Sequence, residues 1–343
     1  MSSLAHGPLV LQAESLGKDF RLGGGTKISA AGEVTLELHR STVVALVGES
    51  GSGKSTVARL LAGQERPTRG RILLDGKEIE PRRRGTFRAY KRHVQMVFQD
   101  PFASLNPAHT VRYHLERPLR LHHRLGGAEL ERELGRALER VRLTPPKQFL
   151  AKYPHQLSGG QRQRIAIARA LAVGPRVLLA DEPVSMLDVS IRLEILDLLD
   201  ELRSELELAI LYITHDIASA RYFADEILVM YAGEIVERGP AEELTQHPAH
   251  PYTQLLVSSA PDPDNLGGHL SRRHTPATRV SVADEAIRPV GCSFSARCPF
   301  AGDRCFTEVP PLTPIDAGRT AACWRLDIAA PELLAATREG LRR

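Results

Sequence analysis

The stretch Gly48-Glu49-Ser50-Gly51-Ser52-Gly53-Lys54-Ser55-Thr56 decides the fold class of this chain. It follows an apolar run over 43–47 that predicts a buried strand, and it precedes a helical pattern over 57–62. The glycines allow backbone turns that a Cβ would forbid, so that consecutive N–H groups can surround a phosphate chain. We expect Lys54 to reach the β and γ phosphates and Ser55 to bind Mg²⁺ at the positive end of the helix. The stretch therefore predicts a phosphate-binding loop in an α/β fold.

Length and composition are those of a globular chain. Its 343 residues predict about two domains, and 42% hydrophobic residues are enough for a sizeable core. Lys and Arg number 45 against 41 Asp and Glu, and the charges are interspersed, so no overall field indicates a nucleic acid partner. Residues 1–10 lack the pattern of a signal peptide, and no apolar run approaches about eighteen residues. We therefore expect a chain that is neither exported nor membrane-spanning.

The chain before the loop predicts an antiparallel β layer. Residues 9–47 alternate apolar and polar side chains in short pieces, interrupted by Gly23–Gly25. Phe20 precedes these glycines. Its ring either stacks on adenine, since an aromatic face contacts a base through its π surface, or is a hydrophobic strand residue. The spacing leaves both interpretations open.

Polar side chains follow three further predicted strands. Gln99 follows one apolar run, Asp181 and Glu182 end a second, and His215 follows a third. In a chain with a phosphate loop, the first acid at a strand end is the expected partner of Mg²⁺ through water. Its neighbour Glu182 is placed to act as general base for a water that attacks the γ phosphate. The amide of Gln99 can bind a metal or orient a water, and His215 can polarise a phosphate oxygen.

A second glycine-containing stretch, Leu157-Ser158-Gly159-Gly160-Gln161, precedes a strongly helical pattern. Ser158 fits the N-cap of this helix, and the paired glycines leave its positive end open to an anion. The segment from Phe102 to Arg142 is mostly helical and is bounded by proline turns, so it predicts a helical insertion. Asp188 lies in a short loop before an amphipathic helical pattern.

Five motifs resemble, in their order along the chain, those of the nucleotide-binding subunit of ATP-binding cassette (ABC) transporters. They are Gly48–Thr56, Gln99, Leu157–Gln161, Asp181-Glu182 and His215. The resemblance covers about residues 9–260. It implies an α/β fold with a P-loop NTPase core, an antiparallel β subdomain and a helical insertion, followed by a small Cys-rich C-terminal extension. The implied domains are a nucleotide-binding domain over 1–245, with a helical subdomain at about 102–172, and an extension over 246–343.

The resemblance implies that ATP lies between the P-loop of one subunit and the Leu157–Gln161 signature of another, in a head-to-tail dimer. Asp181, Ser55 and Gln99 would bind Mg²⁺, Glu182 would be the base and His215 the γ-phosphate sensor. The implied nucleotide-binding residues are Phe20, Gly48, Glu49, Ser50, Gly51, Ser52, Gly53, Lys54, Ser55, Thr56, Ser158, Gly159, Gly160, Gln161 and Asp188. The loop at Asp188 carries Met186 where the family usually has Ala, which removes no chemical group.

Further stretches look like the dipeptide and oligopeptide importer subfamily, namely Gln99-Asp100-Pro101, Tyr153-Pro154-His155-Gln156 and His250-Pro251-Tyr252-Thr253. This resemblance implies ATP-driven peptide import at the cytoplasmic face of the cell membrane. The implied partners are two transmembrane permease subunits, a second and similar ATPase subunit, and an extracytoplasmic solute-binding protein. A heterodimer of the two ATPase subunits is favoured, and a pair of identical copies is the alternative. Nickel and glutathione importers share these patterns and remain alternatives.

All four cysteines lie near the C-terminus, at Cys292, Cys298, Cys305 and Cys323, within a segment over 291–323. Four thiolates can hold a [4Fe–4S] cluster or a tetrahedral zinc ion, although there is no C-x-x-C pair. The resemblance favours the cluster. Zinc and unliganded thiols stay open.

Two other classes of protein compete with the transporter interpretation. A soluble ABC ATPase acting on nucleic acid or ribosomes typically carries two cassettes or a long coiled-coil insertion, whereas this chain has one P-loop and no heptad run. An iron–sulfur or zinc module with a vestigial ATPase conflicts with the intact set of catalytic residues. We therefore expect an active ATPase without a nucleic acid partner.

Overall fold

The computed structural model describes residues 7–21, 27–80, 84–100, 104–260, 290–316 and 318–330. The glycine run 23–25, the first residues of the expected helical subdomain and residues 331–343 of the expected C-terminal extension lie outside the described residues. No helix within these ranges is long and apolar enough to cross a membrane.

The described strands form two sheets. The smaller has the order β2-β1-β4-β5 and the larger the order β11-β12-β10-β9-β3-β8-β7-β6. The strands are β1 Leu9–Arg21, β2 Lys27–His39, β3 Val43–Val47, β4 Arg69–Leu74, β5 Lys77–Glu78, β6 Val94–Val97, β7 Val177–Asp181, β8 Ala209–Thr214, β9 Glu226–Tyr231, β10 Glu234–Pro240, β11 Thr313–Asp316 and β12 Arg319–Ala321.

Twelve α-helices lie within the described residues. They are α1 Lys54–Leu61, α2 Arg84–His93, α3 Val111–His123, α4 Gly127–Arg140, α5 Pro146–Leu150, α6 Gly159–Leu171, α7 Val189–Leu206, α8 Ile217–Phe223, α9 Ala241–Gln246, α10 Pro251–Ser259, α11 Asp303–Thr307 and α12 Leu326–Ala329. Two short 3₁₀ turns span Pro154–Gln156 and Ser295–Arg297.

The centre of the larger sheet is parallel, because β3 pairs with β8 and β9, and β7 pairs with β6 and β8. Every residue of β3, β7 and β8 is buried, as the continuous apolar runs predict for strands covered on both faces. The carboxyl ends of these strands meet at one edge of the sheet. Open α/β sheets bind ligands at this edge.

Helix α1 lies between the two sheets. Val57, Leu60 and Leu61 are fully buried in a core shared with β1 and β2 on one side and β3 and β8 on the other. The antiparallel β layer predicted before the P-loop is confirmed, since β1 pairs with β2 and β4. This layer and the parallel sheet together fix the start of α1.

The helices that come between β6 and β7 in the chain pack on the other face of the large sheet. Leu130, Leu134 and Leu138 of α4 are buried and form one core with α6 and β7, as their spacing predicts. Helix α2 was not predicted from the sequence. Among its described side chains only Tyr90 is buried, so its sequence shows no apolar period.

The residues after α9 continue the same large sheet. Strand β12 pairs with β10, with Ala321 opposite Glu237, and β11 pairs with β12. The buried carboxylate of Glu237 also accepts hydrogen bonds from the backbone N–H groups of Ala249 and His250, both at 2.8 Å. The C-terminal segment is therefore held to β10 by a strand and by a side chain.

Candidate functional site

The backbone of the loop between β3 and α1 requires glycine at two positions. Gly53 is the N-cap of α1 with φ +104°, and a Cβ there would lie 2.1 Å from the carbonyl oxygen of Ala30. A Cβ on Gly48 would lie 2.2 Å from the carbonyl oxygen of Met230. The loop therefore lies directly against β2 and β9. Strand, glycine loop and helix follow one another as the sequence predicts.

Lys54 is only 4% exposed, and its ammonium group lies across this loop. Its Nζ donates to the carbonyl oxygens of Gly48 and Glu49, both at 2.7 Å, and to Ser52 Oγ at 3.3 Å. Burial lowers the pKa of Lys54, and the carboxylates of Glu182, Asp181 and Glu49 oppose this shift. The ammonium is thus a cation at the loop with acidic side chains near it.

Ser55 and Asp181 bring the P-loop helix and strand β7 together. Ser55 Oγ donates a hydrogen bond to Asp181 Oδ1 at 3.1 Å. Burial raises the pKa of Asp181, with the charge of Glu182 adding to the shift. A hydroxyl and a carboxylate are hard oxygen ligands of the kind that Mg²⁺ prefers. This donor pair fits Mg²⁺ bound beside a phosphate.

Glu182 lies at the centre of the remaining polar side chains. Gln99 Nε2 donates to Glu182 Oε2 at 2.9 Å, and His215 Nδ1 lies 3.3 Å from Glu182 Oε1. Glu182 has φ +45°, a strained value for a residue with a side chain, and its backbone N–H donates to Ile213 O at 2.9 Å. The ends of β6, β7 and β8 thus converge on one carboxylate.

The signature stretch begins α6. Ser158 Oγ accepts from the Gln161 N–H at 3.2 Å, and Gln161 Oε1 accepts from the Ser158 N–H at 3.1 Å, which is a capping box. A Cβ on Gly160 would lie 2.9 Å from Ile191 Cγ2, so this helix start packs closely on α7, whose N-cap is the exposed Asp188. The side-chain hydrogen bonds of the described Ser158 and Gln161 stay within this cap, and none reaches the P-loop.

Phe20 lies on β1 opposite Ile28 of β2. Its ring is 39% exposed, and Lys18 Nζ lies 5.0 Å from the ring centroid. An exposed ring at a strand end is available for stacking. A hydrophobic strand residue that is partly exposed would look the same.

The iron–sulfur prediction is wrong. Within the described ranges, which include all four cysteines, no group of three or more His, Cys, Asp or Glu side chains is placed to hold a metal ion. The zinc alternative fails on the same finding. Spacing counts the thiols, but it does not show where their side chains lie.

Two residues that contact the P-loop were missed by the sequence analysis. Tyr252 Oη accepts from the backbone N–H of Glu49 at 2.8 Å, and Arg297 binds the Glu49 carboxylate. In the sequence, Tyr252 is only one residue of a stretch that resembles the peptide importer subfamily, and nothing distinguishes Arg297 from other arginines. Both lie more than two hundred positions from the loop, so only the folded chain reveals them.

Comparison with known proteins identifies the family. The ABC transporter family matches residues 31–185, and the oligopeptide/dipeptide transporter C-terminal region matches residues 236–305. A probable peptide ABC transporter ATP-binding protein of Sinorhizobium fredii is 40% identical over 92% of this chain and 89% of its own length. This chain belongs to the ABC transporter ATPase family. A di/tripeptide transport ATP-binding protein of Pseudomonas aeruginosa is also 40% identical, over 92% of this chain and 97% of its own.

Solved structures of ABC cassettes share the fold. A cassette named cbiO1, of Clostridium perfringens, is 32% identical with a TM-score of 0.61, over 69% of this chain and 91% of its own. A dimeric post-hydrolysis state of the cassette MJ0796, bound to ADP and Pi, is 30% identical with a TM-score of 0.60, over 67% and 98%. The ABC ATPase fold predicted from the sequence is confirmed. The activity of the family is ATP hydrolysis with Mg²⁺, and membership implies permease partners, paired cassettes and attachment to the membrane through the permeases.

Proposed function

We propose that this ABC ATPase drives import of peptides across the cytoplasmic membrane, from the cytoplasmic face. Two observations support this substrate class. The chain is 40% identical over most of its length to proteins named as peptide transport subunits, and residues 236–305 match the oligopeptide/dipeptide transporter C-terminal region. We place the boundary between the nucleotide-binding domain and this C-terminal extension at about residue 245.

The convergence of Gln99 and His215 on Glu182, beside the P-loop, carries the proposed mechanism. Glu182 accepts the proton of the attacking water. His215 contacts the γ phosphate, and Gln99 holds the Glu182 carboxylate in place until substrate enters. Ser55, Asp181 and Gln99 would hold Mg²⁺, which would supply positive charge to offset that of the β and γ phosphates. Lys54 binds the same phosphates, and Phe20 stacks on adenine.

The second half of the ATP site comes from another subunit. Ser158 Oγ and the N–H groups at Gly159 and Gly160 lie at the start of α6, where the helix dipole favours an anion. They contact the γ phosphate bound to the partner's P-loop, with Gln161 bracing the cap and Asp188 linking the two sites. We propose that the partner is a similar but different ATPase subunit, and that a solute-binding protein delivers the peptide.

Reconstitution tests this function. The chain is co-expressed with its permease subunits and partner ATPase, incorporated in liposomes with ATP inside, and supplied with binding protein and labelled di-, tri- and longer peptides outside. We expect peptide uptake that depends on ATP and is lost in the Glu182→Gln variant. Uptake of nickel or glutathione in place of peptides would refute the substrate class, and ATP turnover without binding to any permease would refute transport.

A further inference from the structure

The carboxylate of Glu49, in the P-loop, is bound by an arginine from the C-terminal segment. Arg297 Nη1 donates to Glu49 Oε2 at 2.8 Å and Nη2 donates to Oε1 at 2.9 Å. Both guanidinium nitrogens are thus used in the bidentate geometry that makes arginine–carboxylate pairs strong and directional. The two residues are 248 positions apart in the chain.

The backbone of the same residue is held as well. The Glu49 N–H donates to Tyr252 Oη at 2.8 Å, and Tyr252 is fully buried at the start of α10. The Tyr252 ring packs on Tyr231 and Phe294, with ring centroids 4.6 and 5.5 Å apart. The guanidinium of Arg297 lies 5.7 Å from the Tyr231 centroid and 5.6 Å from the Phe294 centroid. Glu49 is therefore held at its main chain by Tyr252 and at its side chain by Arg297, and both of these residues pack in one aromatic cluster.

The charge of Glu49 matters because of its position. Its carbonyl oxygen accepts from Lys54 Nζ at 2.7 Å, and its carboxylate attracts the same ammonium through its charge. An unpaired carboxylate at this point would repel a triphosphate and compete with it for Lys54. The Arg297 side chain is 18% exposed, so solvent screens the pair only in part.

We propose that Arg297 is a positioning residue for ATP: it neutralises the Glu49 carboxylate and, together with Tyr252, holds the P-loop in the conformation that admits the phosphates. The C-terminal segment is then part of the ATP-binding apparatus. The proposal rests on the P-loop being the ATP site of the proposed function. It adds that nucleotide affinity depends on residues more than two hundred positions away.

A purely structural role for Arg297 predicts a different outcome from an electrostatic one. If Arg297 only anchors the C-terminal segment, its loss lowers stability and the amount of active protein, and a change at Glu49 cannot repair it. If it neutralises Glu49, its loss raises KM for ATP while kcat stays close to wild type. Removal of the carboxylate in the same chain then restores KM.

The test measures ATP turnover of the full chain assembled with its permease and partner subunits. The variants are Arg297→Ala, Arg297→Lys, Glu49→Gln, the double variant Glu49→Gln with Arg297→Ala, and Tyr252→Phe. The matched control is Arg304→Ala, because Arg304 is in the same segment but stacks on Trp324 and pairs with Glu308.

For Arg297→Ala we expect KM for ATP to rise about threefold to tenfold with kcat within about twofold of wild type. Arg297→Lys should give a smaller rise in KM, since lysine keeps the charge but cannot form the bidentate contact. The double variant should return to within about twofold of the KM of Glu49→Gln, and Arg304→Ala should match wild type. High salt should reduce the difference in KM for ATP between Arg297→Ala and wild type, because salt screens the charge of Glu49.

An Arg297→Ala KM equal to that of Arg304→Ala would overturn the proposal, as would a double variant as impaired as Arg297→Ala. If Arg297→Ala does not fold, the comparison of Arg297→Lys with and without Glu49→Gln decides in the same way. If wild-type protein does not bind ATP, or if Lys54→Ala binds ATP as tightly as wild type, the P-loop is not the ATP site. The two failures are thereby distinguishable.

Discussion

The carboxylate of Glu182 accepts a hydrogen bond from the side-chain amide of Gln99, at 2.9 Å between Nε2 and Oε2. The two residues end neighbouring parallel strands, β7 and β6, and are 83 positions apart. His215 approaches the other oxygen of the same carboxylate from the end of β8. A carboxylate held between an amide and an imidazole is oriented for proton transfer rather than buried in an ion pair.

Glu182→Gln tests the proposed general base. The amide keeps the shape and can still bond to Gln99, but it cannot accept a proton. We expect ATP turnover of the assembled complex to fall about 100-fold or more, while ATP affinity changes little and a closed cassette pair accumulates. Phosphate release, nucleotide binding and size-exclusion chromatography measure the three quantities. Glu205→Gln, an exposed substitution on α7, is the control. Normal turnover in Glu182→Gln would exclude the role.

Ser158 caps α6, and we propose a second, separable role at the partner's ATP. As the N-cap of α6 it satisfies the Gln161 N–H, so Ser158→Ala should lower the free energy of unfolding by about 1 kcal/mol. Ser158→Asp retains a cap and should leave stability near wild type. Its carboxylate would face the γ phosphate of the partner's ATP, so turnover should fall about 100-fold. Urea unfolding and ATPase assays give both values. A fully active Ser158→Asp complex would show that Ser158 acts only as a cap.

Gly53→Ala should disable the P-loop. Its φ of +104° and the carbonyl oxygen 2.1 Å from the expected Cβ leave no room for a methyl group. We expect a loss of about 1–3 kcal/mol in unfolding free energy and of most ATP binding. Gly135→Ala is the matched control, because Gly135 is within α4 and nothing lies within 4 Å of its expected Cβ. That substitution should stabilise the protein by about 0.5–1 kcal/mol. Equal behaviour of the two variants would contradict the steric argument.

The sequence was sufficient for elements with an apolar period and for motifs within one loop. Strand β8 begins at Ala209 and ends at Thr214, as its apolar run predicts. The dipeptide Asp75-Gly76, a typical hairpin turn, joins β4 to β5. The Ser158 cap was also predictable, since both of its partners lie within three residues. Local chemistry fixed each of these features.

Features that depend on distant contacts were not predictable. Helix α2 has a polar sequence, and Tyr90 is the only buried residue among its described side chains. Apolar periodicity therefore could not predict this helix. The pairing of Glu49 with Arg297 joins two segments that no pattern relates. The cysteine prediction was also wrong, since within the described residues the thiols form no group placed to hold a metal ion, and spacing along the chain does not determine how side chains are placed.

Glu237→Gln tests how the C-terminal segment is held. Both oxygens of Glu237 accept backbone N–H groups, from Ala249 and His250, in a fully buried site. A glutamine presents one NH₂ group to a donor, so one buried N–H loses its acceptor. At pH 5 Glu237 is protonated, but its hydroxyl oxygen can still accept an N–H whereas the glutamine NH₂ cannot, so we expect the free energy of unfolding to fall by about 1–3 kcal/mol. Glu205→Gln again serves as the control, and an unchanged stability would show that this contact is dispensable.

The same carboxyl group predicts a dependence on pH. Burial raises the pKa of Glu237 from 4.5 to about 7, against the opposing effects of Thr253, the two backbone donors and Arg319. The folded state therefore binds this proton more tightly than the unfolded state, so the contribution is complete below pH 4.5 and is lost as pH rises through about 7. The neighbouring His250 stays neutral in this window, because burial lowers its pKa to about 3. Between pH 5 and 8 wild type should lose up to about 3 kcal/mol relative to Glu237→Gln, as measured by urea unfolding at each pH. Parallel curves for the two proteins would mean that Glu237 is ionised throughout, with the two N–H donors outweighing burial.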